Sequence, residues 1–278
     1  MYDRLVQAIE SVWQKDVTAI GIASPGPLDP HTGTILATPN IPEWQNFPLA
    51  PNLSKHFGVP VHLDNDANMA GLAEWKFGAG KGHHDLVYLT ISTGIGGGVI
   101  SNDHLLQGFR GMGGELGHMI IDPNGPPCGC GKNGHVESFA SGPAIARYVN
   151  EQIQAGRQGE TSLRPHSNLS AAQVADAALQ GDLLAISAFE RAAHYLGIAV
   201  ANYLAIFDPS ILIFGGGVSQ VGELLFKPFE ESLRKHTFHP HYLDNLVVAK
   251  AALGDDAGLL GALALARLKQ NGEKAGVK

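Results

Sequence analysis

Apolar positions along the chain switch between two periods. Leu5, Ile9, Val12 and Trp13 recur at helical spacing and predict a helix over residues 2–14. A short apolar run at 17–23, closed by Ser24-Pro25-Gly26-Pro27, predicts a buried strand ending in a tight loop. Further on, the pattern predicts a short strand at 34–37, a helix at 49–57 and a strand at 59–63. The helix after that strand carries Met69, Leu72, Ala73 and Phe77. Residues 85–100 read as two strands joined by a glycine-rich turn, and 143–155 as a helix followed by a polar loop at 156–169. Ser170 caps a helix to Leu179. The stretch 183–207 sets Ile186, Phe189, Ala193, Leu196, Val200, Tyr203, Leu204 and Phe207 on one broad helical face, stopped by Asp208-Pro209. Buried strands follow at 211–214 and 247–253, then an Ala/Leu-rich helix to about residue 269 and a frayed tail. Strands and helices alternate in two blocks, 1–84 and 85–254, which predicts an α/β protein of two lobes.

Composition narrows the class. Of 278 residues 44% are hydrophobic, enough for a substantial core, and the net charge of −7 comes without a basic stripe. Nucleic acid is therefore not an expected partner. No membrane span is expected, and the N-terminus lacks a basic-then-apolar leader pattern, so a cytoplasmic location is expected. Much of the glycine (35 residues) falls in clusters, where turns bring backbone close to a ligand.

The chemistry concentrates in residues 115–137. Both cysteines lie here in the pattern H-x9-C-x-C-x4-H: His118, Cys128, Cys130 and His135. Two thiols, two imidazoles and several glycines suit a tetrahedral zinc knot. Glu115 and Glu137 bracket it and suggest polar side chains held in place for a ligand. A second concentration is Asp64-Asn65-Asp66-Ala67-Asn68, at a strand-to-helix junction. One such residue is explained as a helix cap; four in five positions at the carboxyl end of a strand suggest a ligand site. The run Thr93-Gly94-Ile95-Gly96-Gly97-Gly98 is either an ordinary hairpin turn or a phosphate cradle. Gly215-Gly216-Gly217 after a strand is either a tight turn or a place for a nucleotide against bare backbone. The proline-punctuated loop 38–44 is either a surface connection or the mouth of a cleft, with Asn40 offering an amide.

Taken together, Ser-Pro-Gly-Pro-Leu-Asp at 24–29, Leu-Asp-Asn-Asp-Ala-Asn at 63–68, Ser-Thr-Gly-Ile-Gly-Gly-Gly at 92–98, Gly-Glu-Leu-Gly-His at 114–118, Cys-Gly-Cys-Gly at 128–131 and Phe-Gly-Gly-Gly at 214–217 resemble the ROK family of sugar kinases and sugar-responsive regulators. The resemblance is strongest to its glucokinases and spans nearly the whole chain. It implies a two-lobed actin/hexokinase-type (ribonuclease H-like) fold. The helix 255–270 would return to the first lobe, with 85–254 as the second. The implied reaction is ATP-dependent phosphorylation of a hexose, glucose first, at its C6 hydroxyl with Mg2+, in a homodimer. By the same resemblance Asp66 is the catalytic base, and Gly26, Asn40, Asn65, Asp66, Glu115, His118 and Glu137 bind sugar. Thr93, Gly94, Gly96 and Gly97 bind phosphate, and Gly215, Gly216 and Gly217 lie by the adenosine. His118, Cys128, Cys130 and His135 hold Zn2+, with His135 where the family has a third cysteine. The family's opening Asp-x-Gly-Gly-Thr segment has no counterpart in the sequence. This implies an incomplete N-terminal lobe, and with it a second reading as a non-catalytic sugar-binding or sensing member.

Overall fold

Helix and strand alternate as the periodicity demands, but several boundaries move. The computed structural model describes residues 1–38, 41–166 and 168–270. It opens with α1 (Tyr2–Ser11), β1 (Ile20–Ser24), the antiparallel pair β2 (Leu28–Asp29) and β3 (Thr34–Ile35), α2 (Leu49–Phe57), β4 (Val61–Asn65) and α3 (Asp66–Phe77). Next come β5 (Leu86–Ile91), β6 (Ile95–Ser101) and β7 (His104–Leu105). Helices α4 (Glu137–Ala140), α5 (Gly142–Gln154), α6 (Ala171–Leu179) and α7 (Leu183–Phe207) precede β8 (Ile211–Gly215). The chain then forms α8 (Glu223–His236), β9 (Val247–Lys250) and α9 (Ala257–Gln270).

Two compact units result. The first contains Met1–His84, Gly98–Gly114 and the chain from Ala252. The sequence predicts 98–114 in the second lobe; the structure groups it with the first. The reason is close contact: a Cβ on Gly98 would stand 2.9 Å from the Ala67 carbonyl oxygen, so β6 lies directly on the first turn of α3. In this unit β1 and β4 run parallel, Ile20 opposite Val61 through Ser24 opposite Asn65. A core of Val6, Leu28, Ile35, Trp44, Leu49, Leu53 and Leu63 packs beneath α1 and α2. Trp44 stacks on Phe47 with ring centroids 5.0 Å apart, so Trp44 itself is held in this core. Helix α9 crosses α3 and β1 with no room for side chains. A Cβ on Gly21 or Gly261 would sit 1.9 Å from the carbonyl oxygen of Ala262 or Met69.

The second unit contains Asp85–Gly97 and Glu115–Ala251. Strands β5, β8 and β9 are parallel, with Leu86 opposite Ile211 and Ile211 opposite Val247. β5 and β8 are apolar and buried apart from the half-buried Thr90, as expected of strands covered on both faces. The side chain of Asp182 caps α7 through the Ala185 N–H, and the helix stops at Asp208, in the left-handed region at φ 44°. Helix α7 is long and apolar enough to cross a membrane by length and composition, which the sequence reading did not anticipate. Here Phe189, Leu196, Val200, Tyr203 and Leu204 are instead buried in the unit's core.

Candidate functional site

The first unit carries the polar run at the end of β4. The strand extends through Asp64 and Asn65, so α3 starts at Asp66 rather than after it. Asn65 is the helix cap: its Oδ1 accepts the N–H groups of Ala67 (2.9 Å) and Asn68 (3.3 Å). That uses its acceptor and leaves its amide nitrogen beside Gly26, where a Cβ would lie 3.6 Å away. Asp66, in the first turn of α3, accepts the Ala67 N–H at 2.8 Å and keeps its carboxylate exposed. A carboxylate is favoured there by the helix dipole. The cap reading thus accounts for Asn65 alone.

Asp64 behaves differently. It is fully buried and accepts the Asn65 N–H at 2.7 Å, the Asn68 amide at 3.0 Å and the Gln107 amide. Burial raises its pKa, opposed by the bonds from Asn68, Gln107 and Asn65. Neither Asp64 nor Gln107 was singled out as a site residue from sequence. Asp64 had a signal, its place in the polar run; Gln107, 43 residues away, had none. Asn40 lies outside the described residues.

The second unit carries Glu115, the Cys/His loop and Glu137. Glu115 precedes a single turn of 3-10 helix, Leu116–His118. The turn is clamped by the buried Tyr203 hydroxyl, which donates to the Leu116 carbonyl at 2.7 Å. It is also clamped by Gly117, whose Cβ would meet the Ile95 carbonyl oxygen at 1.9 Å. The donor atoms of His118, Cys128, Cys130 and His135 all lie within 4.8 Å of one another. His118 Nδ1 and His135 Nδ1 are 3.3 Å apart, Cys128 Sγ and His118 Nδ1 3.7 Å, and Cys130 Sγ and His135 Nδ1 3.3 Å. A tetrahedral zinc with ordinary bond lengths sets nitrogen pairs about 3.3 Å apart and sulfur–nitrogen pairs about 3.6 Å apart. The residues therefore fit zinc in both type and spacing. Burial, with His118 next to it, lowers the His135 pKa, which favours the neutral imidazole a metal needs.

Glu137 sits against this cluster. The Cys128 thiol donates to its Oε1 at 2.9 Å, and His118 Nδ1 is 3.8 Å from the same oxygen. Burial first, then the side chains of Glu137 and Cys130, pushes the Cys128 thiol up to about 12. The other Glu137 oxygen lies 3.4 Å from the Ile95 N–H, beside Gly94. Glu137, His118 and the glycine turn are thus brought together, as expected for adjoining parts of one site.

The glycine motifs are only partly what the sequence predicts. Gly96 and Gly97 are residues of β6, so the turn is Ser92-Thr93-Gly94 alone. Gly215 is the buried end of β8, and Gly216 takes φ +84°, where a Cβ would also meet the Ile91 carbonyl oxygen at 2.3 Å. Thr93 and Gly217, by contrast, both open onto a cavity of about 500 Å³. Its wall continues with Gly142, Pro143, Ser170, Ala171 and Ala172, the starts of α5 and α6, and with Leu169, Val218 and Val221. Two helix N-termini, capped by Ser141 and Ser170, face one cavity, and such ends attract anions. The helix starts were readable in the sequence; their convergence on Thr93 and Gly217 was not.

The ROK family profile matches residues 1–269. A glucokinase of Thermotoga maritima is 40% identical over 264 residues, which is 91% of this chain and 80% of that protein. The solved ROK hexokinase from Thermus thermophilus superposes with a TM-score of 0.85 at 38% identity, covering 98% of this chain and 87% of that one. A ROK family glucokinase from Streptomyces griseus, solved in complex with glucose and AMPPNP, gives 0.78 at 37% identity over 96% of this chain and 87% of its own. The xylose repressor of Caldicellulosiruptor bescii also aligns, 32% identical over 95% of this chain and 67% of the repressor. The expected fold class, that of the ROK hexokinases, is the one found.

Proposed function

The chain belongs to the ROK family, and on that footing we propose that it is an ATP-dependent hexose kinase acting on the C6 hydroxyl of glucose. The observation that carries this reading is the pair at the end of β4: the exposed Asp66 carboxylate on the first turn of α3, beside Asn65, whose amide nitrogen donates to no partner among the described residues. Asp66 accepts the proton of the sugar hydroxyl as that oxygen attacks the γ-phosphorus and ADP leaves. In the first unit Asn65 and Gly26 take further sugar hydroxyls; in the second, Glu115, His118 and Glu137 are the groups suited to that task, since a polyol needs a partner for each hydroxyl. The cavity beside Thr93 and Gly217 takes the nucleotide, its apolar wall suited to a base and its helix ends to phosphate. Among the described residues the one metal-competent cluster has soft donors, unsuited to magnesium. Mg2+ would enter with the ATP phosphates and would supply positive charge against them.

His118, Cys128, Cys130 and His135 hold zinc as a structural pin for the loop between Glu115 and Glu137. The glucokinase relatives support the kinase reading; a repressor at 32% identity supports a second one, a sugar-binding protein without turnover. A coupled ADP-release assay with glucose, N-acetylglucosamine, N-acetylmannosamine and fructose separates the two. Sugar-dependent ADP release is expected with glucose; binding of a sugar with no release from any of the four would leave the sensing reading.

A further inference from the structure

Beneath the exposed Asn65–Asp66 turn lies a buried polar joint that neither the cap nor the proposed chemistry uses. Asp64 joins three pieces of chain through its own side chain: the end of β4 through the Asn65 N–H, the first turn of α3 through the Asn68 amide, and the loop after β7 through the Gln107 amide. Gln107 is itself buried, and its carbonyl oxygen accepts the Gly113 N–H at 2.8 Å, so the loop it belongs to is closed on itself. That loop runs on to Glu115 within three residues of Met112. A buried carboxylate in such a place carries a desolvation cost that an apolar residue would not.

The neighbouring Asn68 shows what the carboxylate dictates. Its amide nitrogen faces Asp64, while its Oδ1 is buried with no hydrogen-bond partner among the described residues. Turning the amide over would set oxygen against the Asp64 oxygens. The orientation is held by Asp64 at the expense of an orphaned acceptor. Burial raises the Asp64 pKa, which indicates that the carboxylate is held against the preference of its surroundings.

We propose that Asp64 and Gln107 are the positioning pair of this site: their hydrogen bond locks the 106–114 loop to the Asn65–Asp66 turn and so fixes the direction in which Asp66 and Asn65 face substrate. The proposal rests on the kinase reading for its catalytic consequence, though not for the lock itself. Misplacing a reacting group by a fraction of its reach costs far more in turnover than in stability. Fixing the turn is therefore worth a buried charge.

The test reverses the polarity of the bond. Gln107→Glu sets two carboxyl groups face to face; they hold one proton between them and lose it as pH rises. Q107E should lose roughly tenfold in kcat at neutral pH, recovering toward acid, with a smaller change in KM for sugar. The double variant D64N/Q107E restores a donor–acceptor pair with the roles exchanged, and its kcat should return to within about threefold of the wild type across the same pH range. Hydrogen exchange of the 64–69 segment in the sugar-free protein supplies a readout that does not depend on the kinase reading. The amides of Ala67 and Asn68 should exchange faster in Q107E and regain protection in the double variant. If the wild type phosphorylates no sugar, the kinase reading fails and exchange alone decides the lock. If Q107E lowers the melting temperature while kcat and local exchange stay unchanged, or if the double variant rescues neither, the pair is structural only and the proposal is overturned.

Discussion

The first turn of α3 and the Cys/His loop, both assigned above to ligand binding as a proposal, arrange their polar groups in opposite ways. At α3 the chain completes its own hydrogen bonds: Asn65 caps the helix, Asp66 takes a backbone N–H, and Asp64 is satisfied three times from below. The Cys/His loop collects four donors and leaves them facing one another. Two imidazole nitrogens stand 3.3 Å apart, and a thiol leans on Glu137. The one is preorganised by its own chain, whereas the other, on the function proposed above, is arranged to receive an ion. Substitutions should therefore act differently in the two places, on turnover with the fold intact in the first and on the loop itself in the second.

The largest effect is expected from Asp66→Asn. It keeps size and the bond to Ala67 but removes the proton acceptor, and kcat should fall about 10²–10⁴-fold with glucose affinity within roughly threefold. A variant retaining a tenth of wild-type turnover would remove Asp66 from the role of base. Next in size is the double variant C128S/C130S, which should carry no zinc by metal analysis of the purified protein, against about one equivalent per wild-type chain. Zinc retention also has a pH sign. In the metal-free protein Cys128 keeps its proton to about 12, so zinc must displace that proton, and binding strengthens as pH rises and weakens in acid. Dialysis against a chelator should strip the metal faster at pH 5 than at pH 8, and the reverse order would contradict a thiolate site. A moderate effect follows at the cavity. Ala172→Phe fills it from the start of α6 and should raise the KM for ATP roughly tenfold, leaving sugar affinity unchanged.

The smallest effect concerns Asp64. Its pKa is raised in the folded protein, so its contribution to stability is full below the unfolded carboxyl range and is lost as pH rises through the folded value. D64N has no such titration. The melting temperature of the wild type minus that of D64N should therefore be most positive in acid and decline toward neutral pH. A difference that grows with pH would show a carboxylate stabilised by its setting.

Much of this was legible in the sequence because it depends on residue type at short range. The α/β alternation follows from periodicity, and the clustering of His118, Cys128, Cys130 and His135 follows from their chemistry and spacing. A cap within the 64–68 run is readable because the run stands at a strand-to-helix junction; that Asn65 is the residue that caps comes from the structure. The failures share a different cause. Gly96, Gly97 and Gly98 look like a turn but form a strand, because the missing Cβ of Gly98 serves a neighbouring helix rather than a bend in its own chain. Gln107 pairs with Asp64 across 43 residues, and nothing local in Leu105-Leu106-Gln107-Gly108 marks it. The cavity gathers residues from four separate stretches, each an ordinary cap or turn by itself.

The central claim is that Asp66 takes a hexose hydroxyl proton during phosphoryl transfer. Phosphorus NMR of the purified protein with MgATP and glucose tests it most directly, with Asp66→Asn run beside the wild type. A glucose 6-phosphate signal that grows in step with ADP in the wild type, and is absent from the variant over the same interval, is the predicted result. A wild type that binds glucose and forms no phosphorylated sugar, or a variant that forms it at the wild-type rate, would contradict the account.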